Sequence, residues 1–158
     1  MVAIVPATES DVPAIHALVK ALAEYEQLSH EVVSTEADIR NSLFGGRAYA
    51  EVILAKSDGQ TVGFALFFHN YSTFLGRPGI YLEDLFVLPS WRGQGIGRDL
   101  LAALARLTIE RRCGRLEWSV LDWNEPAIGF YRRMGARVMD EWRICRLTGE
   151  ALVTAAQS

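Results

Sequence analysis

Cysteine and histidine are scarce in this 158-residue chain, with two of the first and three of the second. Cys113 and Cys145 lie far apart with no metal-ligand spacing around them, so a reduced, half-buried pair of thiols is expected rather than a disulfide or a metal centre. Neither has a base or an orienting partner nearby in sequence, which argues against cysteine catalysis. His16 falls in an amphipathic stretch and His30 in a polar connection, both suited to surface or core roles; His69 stands at a strand end near a candidate cleft, and none of the three supports metal binding. Long apolar runs are also missing. The longest, residues 63–68, is far too short to span a bilayer, and the first residues lack the basic-then-apolar layout of a signal peptide. A cytoplasmic location without a membrane partner is therefore expected. An excess of positive charge is absent as well: the net charge of −3 argues against a nucleic-acid partner and suits a cationic small molecule. With no repeat, linker or low-complexity segment, the length fits one domain over residues 1–158 that buries a single core.

Period and punctuation supply the elements. Residues 3–5 read as a short strand, followed by Thr8 and Asp11 at capping-box spacing and a helix whose Ile15, Leu18, Val19 and Leu22 share one apolar face. A second helix is expected over 35–43, closed by Gly45 and Gly46. Residues 48–56 and 61–69 read as strands around an Asp58-Gly59 turn, 70–78 as a loop or wide turn, and 81–87 as a further strand. Leu100, Leu101, Leu104 and Leu107 mark an amphipathic helix to about residue 112, before a strand over 115–120. Pro126 opens a short helix, with Asn124 placed to cap it and Gly135 to end it. Residues 137–139 and 142–147 look like two closing strands, and 149–158 like a helical turn with a frayed tail. This order implies an α+β (mixed α/β) fold, a mostly antiparallel sheet with helices on its faces.

The most informative junction lies where the strand Tyr81-Leu82-Glu83-Asp84-Leu85-Phe86-Val87 is followed by Arg92-Gly93-Gln94-Gly95-Ile96-Gly97-Arg98 and a helix. Glycines on alternate positions let backbone N–H groups converge, and the helix adds its positive end, so a pyrophosphate can dock there. No Gly-Lys-Ser/Thr follows, which excludes a P-loop, and the third glycine comes one place too early for the dinucleotide fingerprint.

Strict alternation sends Tyr81, Glu83, Leu85 and Val87 to one face and Leu82, Asp84 and Phe86 to the other, so neither carboxylate has a clean solvent face. One reading makes this an edge strand, or satisfies the carboxylates with Arg77 or Arg92. The other holds a carboxylate partly dehydrated at a reaction centre, with a raised pKa that suits it to accept a proton.

Taken together these residues resemble the GNAT superfamily of acetyl-CoA-dependent N-acetyltransferases, whose pyrophosphate signature is contained in residues 92–97. The similarity narrows to the spermidine/spermine N-acetyltransferase subfamily through Tyr25-Glu26, Tyr81-Leu82-Glu83-Asp84 and the block Trp123-Asn124-Glu125-Pro126-Ala127-Ile128-Gly129-Phe130-Tyr131, and it covers nearly the whole chain. The resemblance implies direct transfer from acetyl-CoA to an amine in a ternary complex. Glu83 takes the role of base and Tyr131 that of acid toward the departing thiolate; N–H groups beside Leu85, Phe86 and Val87 face the acetyl oxygen, and Asn124 approaches the pantetheine. It further implies an amine site lined by Tyr25, Glu26, Glu83, Asp84, Glu141 and Trp142, a homodimer and no metal.

Ser72-Thr73-Phe74 stands where polyamine acetylators of this subfamily carry Asp-Pro-Trp, and the connection before Trp142 is shorter. Both departures weigh against long polyamines and leave diamines, thialysine or another lysine-like amine as acceptors. Acetylation of a protein lysine or amino terminus, and a non-catalytic acyl-CoA-binding sensor, are the alternative readings.

Overall fold

The computed structural model describes residues 1–158. Its elements are β1 (Ala3–Pro6), α1 (Val12–Tyr25), α2 (Glu36–Phe44), β2 (Glu51–Ser57), β3 (Gln60–Ser72), β4 (Arg77–Val87), α3 (Ile96–Glu110), β5 (Leu116–Trp118), α4 (Glu125–Arg133) and α5 (Gly149–Ala156). The five strands form one sheet in sequence order, antiparallel except for the β4–β5 pair. The chain divides into two compact units, Met1–Leu121 and Asp122–Ser158.

In the first unit, Ile15, Leu18 and Leu22 of α1 and Leu43 of α2 cluster with Val52, Leu54, Phe64 and Phe86 on one sheet face. Phe64, Ile15 and Leu54 are wholly buried, each removing enough apolar surface to stabilise the fold by about 1.5–3 kcal/mol. On the opposite face α3 buries Leu100, Leu101 and Leu104. At Gly63 a Cβ would meet Leu100 Cδ1 of α3 at the ordinary distance of 3.5 Å, and would crowd the Phe86 carbonyl oxygen of β4 at 3.0 Å.

The turns follow local chemistry. Asp58 (φ 47°) and Gly59 (φ 80°) make the expected hairpin between β2 and β3. Thr8 N–H donates to Asp11 Oδ2 at 2.8 Å, and Asp11 Oδ1 accepts from Lys56 Nζ at 2.7 Å, tying the entry of α1 to β2. A second capping box opens α2, with Thr35 N–H donating to Asp38 Oδ2 and Asp38 N–H to Thr35 Oγ1. Gly45 ends α2, where a Cβ would collide with the Asn41 carbonyl oxygen.

Helices α1, α3 and α4 share a C-terminal motif in which two N–H groups fold back onto carbonyls of the last turn. Gln27 and Leu28 donate to Glu24 and Ala23, Arg112 and Cys113 to Ile109 and Thr108, and Gly135 and Ala136 to Arg132 and Tyr131. The motif needs one left-handed residue, which only α4 fills with glycine; Gln27 (φ 61°) and Arg112 (φ 56°) adopt it against their side-chain preference.

Several expectations are corrected. Of the loop or wide turn expected over 70–78 only 73–76 is a turn: β3 runs to Ser72 and β4 starts at Arg77, the tight turn being held by Gly76 N–H to the Ser72 carbonyl at 2.9 Å. Residues 137–139 and 142–147 form no strands, because a strand requires a neighbour to take its N–H and C=O groups and this backbone pairs with none. Trp142, Ile144 and Leu147 there are exposed. Residues 149–156 form a full helix rather than a single turn. Of the two free thiols, Cys113 is buried and Cys145 exposed. His69 lies within β3, with Nε2 3.3 Å from Arg111 Nη1, and that guanidinium also grips Glu51 through two bonds of 2.7 and 2.8 Å.

Candidate active site

Strand β4 carries a bulge at its centre. Phe67 stands opposite Leu82 while Leu66 stands opposite Asp84, which leaves Glu83 without a partner on β3. Opposed residues share a face of the sheet, so Leu82 projects with Phe67 and Asp84 with Leu66. The alternation expected from sequence is thereby broken: Asp84 and Phe86 lie on the α1 face with Tyr81, and Leu82, Leu85 and Val87 lie on the α3 face. Glu83 itself is exposed. The adjacency of two carboxylates between Leu82 and Phe86, both buried, is the only trace of the bulge in the sequence.

The bulge brings Asp84 toward Glu26 at the end of α1. Burial, reinforced by the negative charges of Glu83 and Glu26, pushes the Asp84 carboxyl up to about 7. Burial also raises that of Glu26. None of the three carboxylates is engaged in an ion pair, so neither Arg77 nor Arg92 satisfies them. The chain gathers three carboxyl groups here and pairs none of them with a basic side chain.

Beside the carboxylates, β4 loses its outer neighbour. Strand β5 pairs with β4 only from Ile80 to Leu82, and Tyr81 Oη joins Ser119 Oγ at 2.7 Å where the two part. From 83 to 87 the β5-side edge of β4 is unpaired, which opens the outward backbone groups of Leu85 and Val87 to a ligand; contrary to expectation those of Phe86 face β3, since Leu88 N–H bonds the Val62 carbonyl and alternation puts Phe86 in register with Phe64.

The glycine turn follows at once. Gly93 (φ 78°) and Gly95 (φ 84°) are left-handed, and nothing lies within 4 Å of where a Cβ of Gly93 would stand. From Gly93 to Arg98 no backbone N–H finds a protein carbonyl; the first to do so is Asp99, which donates to Gly95 O at 2.9 Å. No side chain caps α3 either. An open cradle of unpaired N–H groups at the start of a long helix fits a pyrophosphate. Ile96 is buried beneath the turn and holds it on the core, while Arg98 Nη2 lies 3.8 Å from the Cβ position of Gly95.

Arg92 is placed differently from Arg98. Its Nε donates to the Val87 carbonyl at 2.9 Å, and its guanidinium carbon lies 4.8 Å from the Tyr25 ring centroid and 5.1 Å from that of Phe86. The two rings are 6.4 Å apart. Sequence spacing gave no sign of this three-membered contact, since its parts come from α1, β4 and the turn.

In the second unit Asn124 is buried and caps α4, its Oδ1 accepting from Ala127 N–H at 3.4 Å. Tyr131 lies in the last turn of α4, half-buried, with its ring 5.4 Å from that of Phe130. Glu141 and Trp142 lie on the exposed segment that forms no strand. The structure thus brings Tyr25, Glu26, Glu83, Asp84 and residues 85–98 together in one unit, whereas Asn124, Tyr131, Glu141 and Trp142 belong to the other. No group of three His, Cys, Asp or Glu side chains is placed to hold a metal ion.

Comparison with known proteins agrees with this architecture. A thialysine N-epsilon-acetyltransferase of Mus musculus is 38% identical over 92% of this chain and 92% of its own. An L-ornithine N5-acetyltransferase of Arabidopsis thaliana is 35% identical, covering 92% of this chain and 84% of the relative. Among solved structures, an integron cassette protein from the mobile metagenome of V. cholerae superposes with a TM-score of 0.82 at 28% identity, covering 99% of this chain and 98% of its own. Residues 15–136 match the acetyltransferase (GNAT) family, and the chain belongs to that family as an N-acetyltransferase.

Proposed function

We propose that the protein transfers an acetyl group from acetyl-CoA to a primary amine of a small cationic acceptor: a diamine, a polyamine, thialysine or a lysine-like amine. The observation that carries this reading is the meeting of Glu26, Glu83 and Asp84 without an ion-pair partner, beside an unpaired strand edge and an open N–H cradle. The relatives named for thialysine and L-ornithine support an acceptor with a terminal alkyl amine.

An alkyl ammonium has a pKa of roughly 10.4, so its lone pair is nearly absent at neutral pH and a proton must leave before attack. The carboxylates draw the ammonium in by charge, and Tyr25 lines the site beside them. Glu83, exposed at the bulge, takes the proton directly or through water. Asp84 titrates in the working range and tunes the charge that Glu83 and the amine experience. Acetyl-CoA supplies an activated thioester acetyl group. The N–H groups at Leu85 and Val87, on the open edge either side of Phe86, hold the acetyl oxygen as it gains charge, and those of Gly93, Gln94, Gly95, Ile96, Gly97 and Arg98 hold the pyrophosphate. In this reading Tyr131 protonates the leaving sulfur, Asn124 contacts the pantetheine, and Glu141 and Trp142 contribute to the amine site, all four by likeness to the family pattern.

The test is release of free CoA thiol from acetyl-CoA with putrescine, spermidine, spermine, thialysine, ornithine, lysine and a lysine-containing peptide. Turnover of one or more of the small amines is expected. Turnover of the peptide alone would replace this reading with protein acetylation.

We further infer a homodimer, supported by the exposed Trp142, Ile144 and Leu147, which a second copy would cover. A solution mass near 17.6 kDa would contradict it. A cytoplasmic protein with neither nucleic-acid nor membrane partners completes the proposal, supported by its free thiols and acidic balance. No helix is long and apolar enough to cross a membrane.

A further inference from the structure

The geometry points to Arg92 as a positioning residue for the amine acceptor, which locks the end of α1 to β4, and not as a ligand of the pyrophosphate. Three observations carry this. Its Nε is committed to the Val87 carbonyl at 2.9 Å. Its guanidinium closes a triangle with the Tyr25 and Phe86 rings, at 4.8 and 5.1 Å, on the α1 face of the sheet. The arginine standing by the N–H cradle is instead Arg98, with Nη2 3.8 Å from where a Cβ of Gly95 would be.

The end of α1 needs such a lock. Tyr25 is its last residue and Glu26 its cap, and the chain leaves them through Gln27 in a left-handed conformation that a glutamine side chain disfavours. The bonds that close this turn, Gln27 N–H to Glu24 O at 3.1 Å and Leu28 N–H to Ala23 O at 2.8 Å, follow the last helical bond, Glu26 N–H to Leu22 O at 2.9 Å, and the Leu28 bond spans the left-handed residue. Arg92 stacks on Tyr25 from outside the helix and is itself held by β4. Tyr25 and Glu26 are thereby kept next to Asp84, whose carboxyl senses the charge of Glu26. Lysine cannot replace this side chain, because it lacks both the flat face that lies against the rings and the Nε donor.

The inference rests on the reading of this site as one for acetyl-CoA and an amine, but its test does not depend on turnover. Backbone hydrogen exchange at Glu26, Gln27 and Leu28 is compared between the wild type and Arg92→Met, which keeps much of the apolar stem, and acetyl-CoA affinity is measured by calorimetry for both and for Arg98→Gln. Exchange at the three amides is expected to quicken at least fivefold in Arg92→Met while acetyl-CoA affinity changes less than about twofold; Arg98→Gln weakens acetyl-CoA binding and leaves the exchange alone. Where an amine is turned over, Arg92→Met raises its KM by about five- to tenfold more than that of acetyl-CoA. Arg92→Lys, which retains the charge, behaves like Arg92→Met. Unchanged exchange, or an acetyl-CoA affinity lost with Arg92→Met and restored with Arg92→Lys, overturns the inference. A wild type that turns over no amine refutes the proposed function and leaves the exchange and calorimetry to decide the role of Arg92.

Discussion

Asp84 stands opposite Leu66 across the β3–β4 ladder, and this pairing sets its carboxyl on the sheet face beneath α1. Without the bulge at Glu83 it would share a face with Leu82, on the α3 side. The folded protein therefore confines a carboxyl near Glu26 and Glu83, with its pKa at about 7 in place of 3.8.

A consequence is measurable as stability. A carboxyl whose folded pKa is raised keeps its proton in the native state where the unfolded chain has lost it, so stability falls as pH rises from about 4 to about 7 and stays low above. Asp84→Asn removes that penalty. Thermal unfolding should show the variant equal to wild type at pH 4 and more stable at pH 8, by on the order of 2 kcal/mol after allowing for the partial exposure of Asp84.

Glu83→Gln addresses proton removal. Turnover of the small amine at pH 7 should fall by about a hundredfold and recover partly as pH rises, because solvent then supplies more neutral amine. The same change removes a like charge beside Asp84 and should lower its pKa. Activity unchanged across the pH range would remove Glu83 from the role of base.

The left-handed caps predict gains. Gln27→Gly and Arg112→Gly relieve a disfavoured conformation and should each stabilise the fold by about 0.5–1 kcal/mol in urea unfolding, against the entropy glycine adds to the unfolded chain. For Gln27→Gly the benefit to stability should come without loss of amine turnover.

Lys56→Met tests the junction of α1 and β2. Asp11 is buried; burial alone would raise its carboxyl, but the Lys56 ammonium and the Thr8 bonds outweigh that and hold it below the usual range. Such a lowered pKa stabilises the fold at neutral pH, and the contribution is lost as pH falls through the folded value. Removing the ammonium should cost about 2–3 kcal/mol at pH 7 and much less in acid, as read from chemical unfolding.

The parts of this molecule written in the sequence are those whose physics is local. Asp58-Gly59, the pairing of Thr8 with Asp11, Asn124 before Pro126 and the glycine turn each act within a few residues, and the structure has all of them. The bulge at Glu83 is a relation between two strands, and strict alternation along β4 alone assigns Asp84 to the wrong face. The left-handed Gln27 and Arg112 escape notice because neither is the glycine that usually marks such a cap. Residues 142–147 include the strand-forming Trp142 and Ile144 among apolar neighbours, yet such composition supplies only surface to bury, and their backbone has no neighbour with which to pair. Arg92 illustrates the same limit: the motif places it beside a phosphate cradle, and the fold turns it toward Tyr25.

That the carboxylates receive a cation is tested most directly by following the Asp84 carboxyl by carbon NMR across pH, assigned against Asp84→Asn, with and without a saturating diamine. A midpoint near 7 in the free protein, moving clearly downward when the diamine binds, is the expected result. A midpoint that the diamine leaves in place would contradict the assignment of this cluster to the amine.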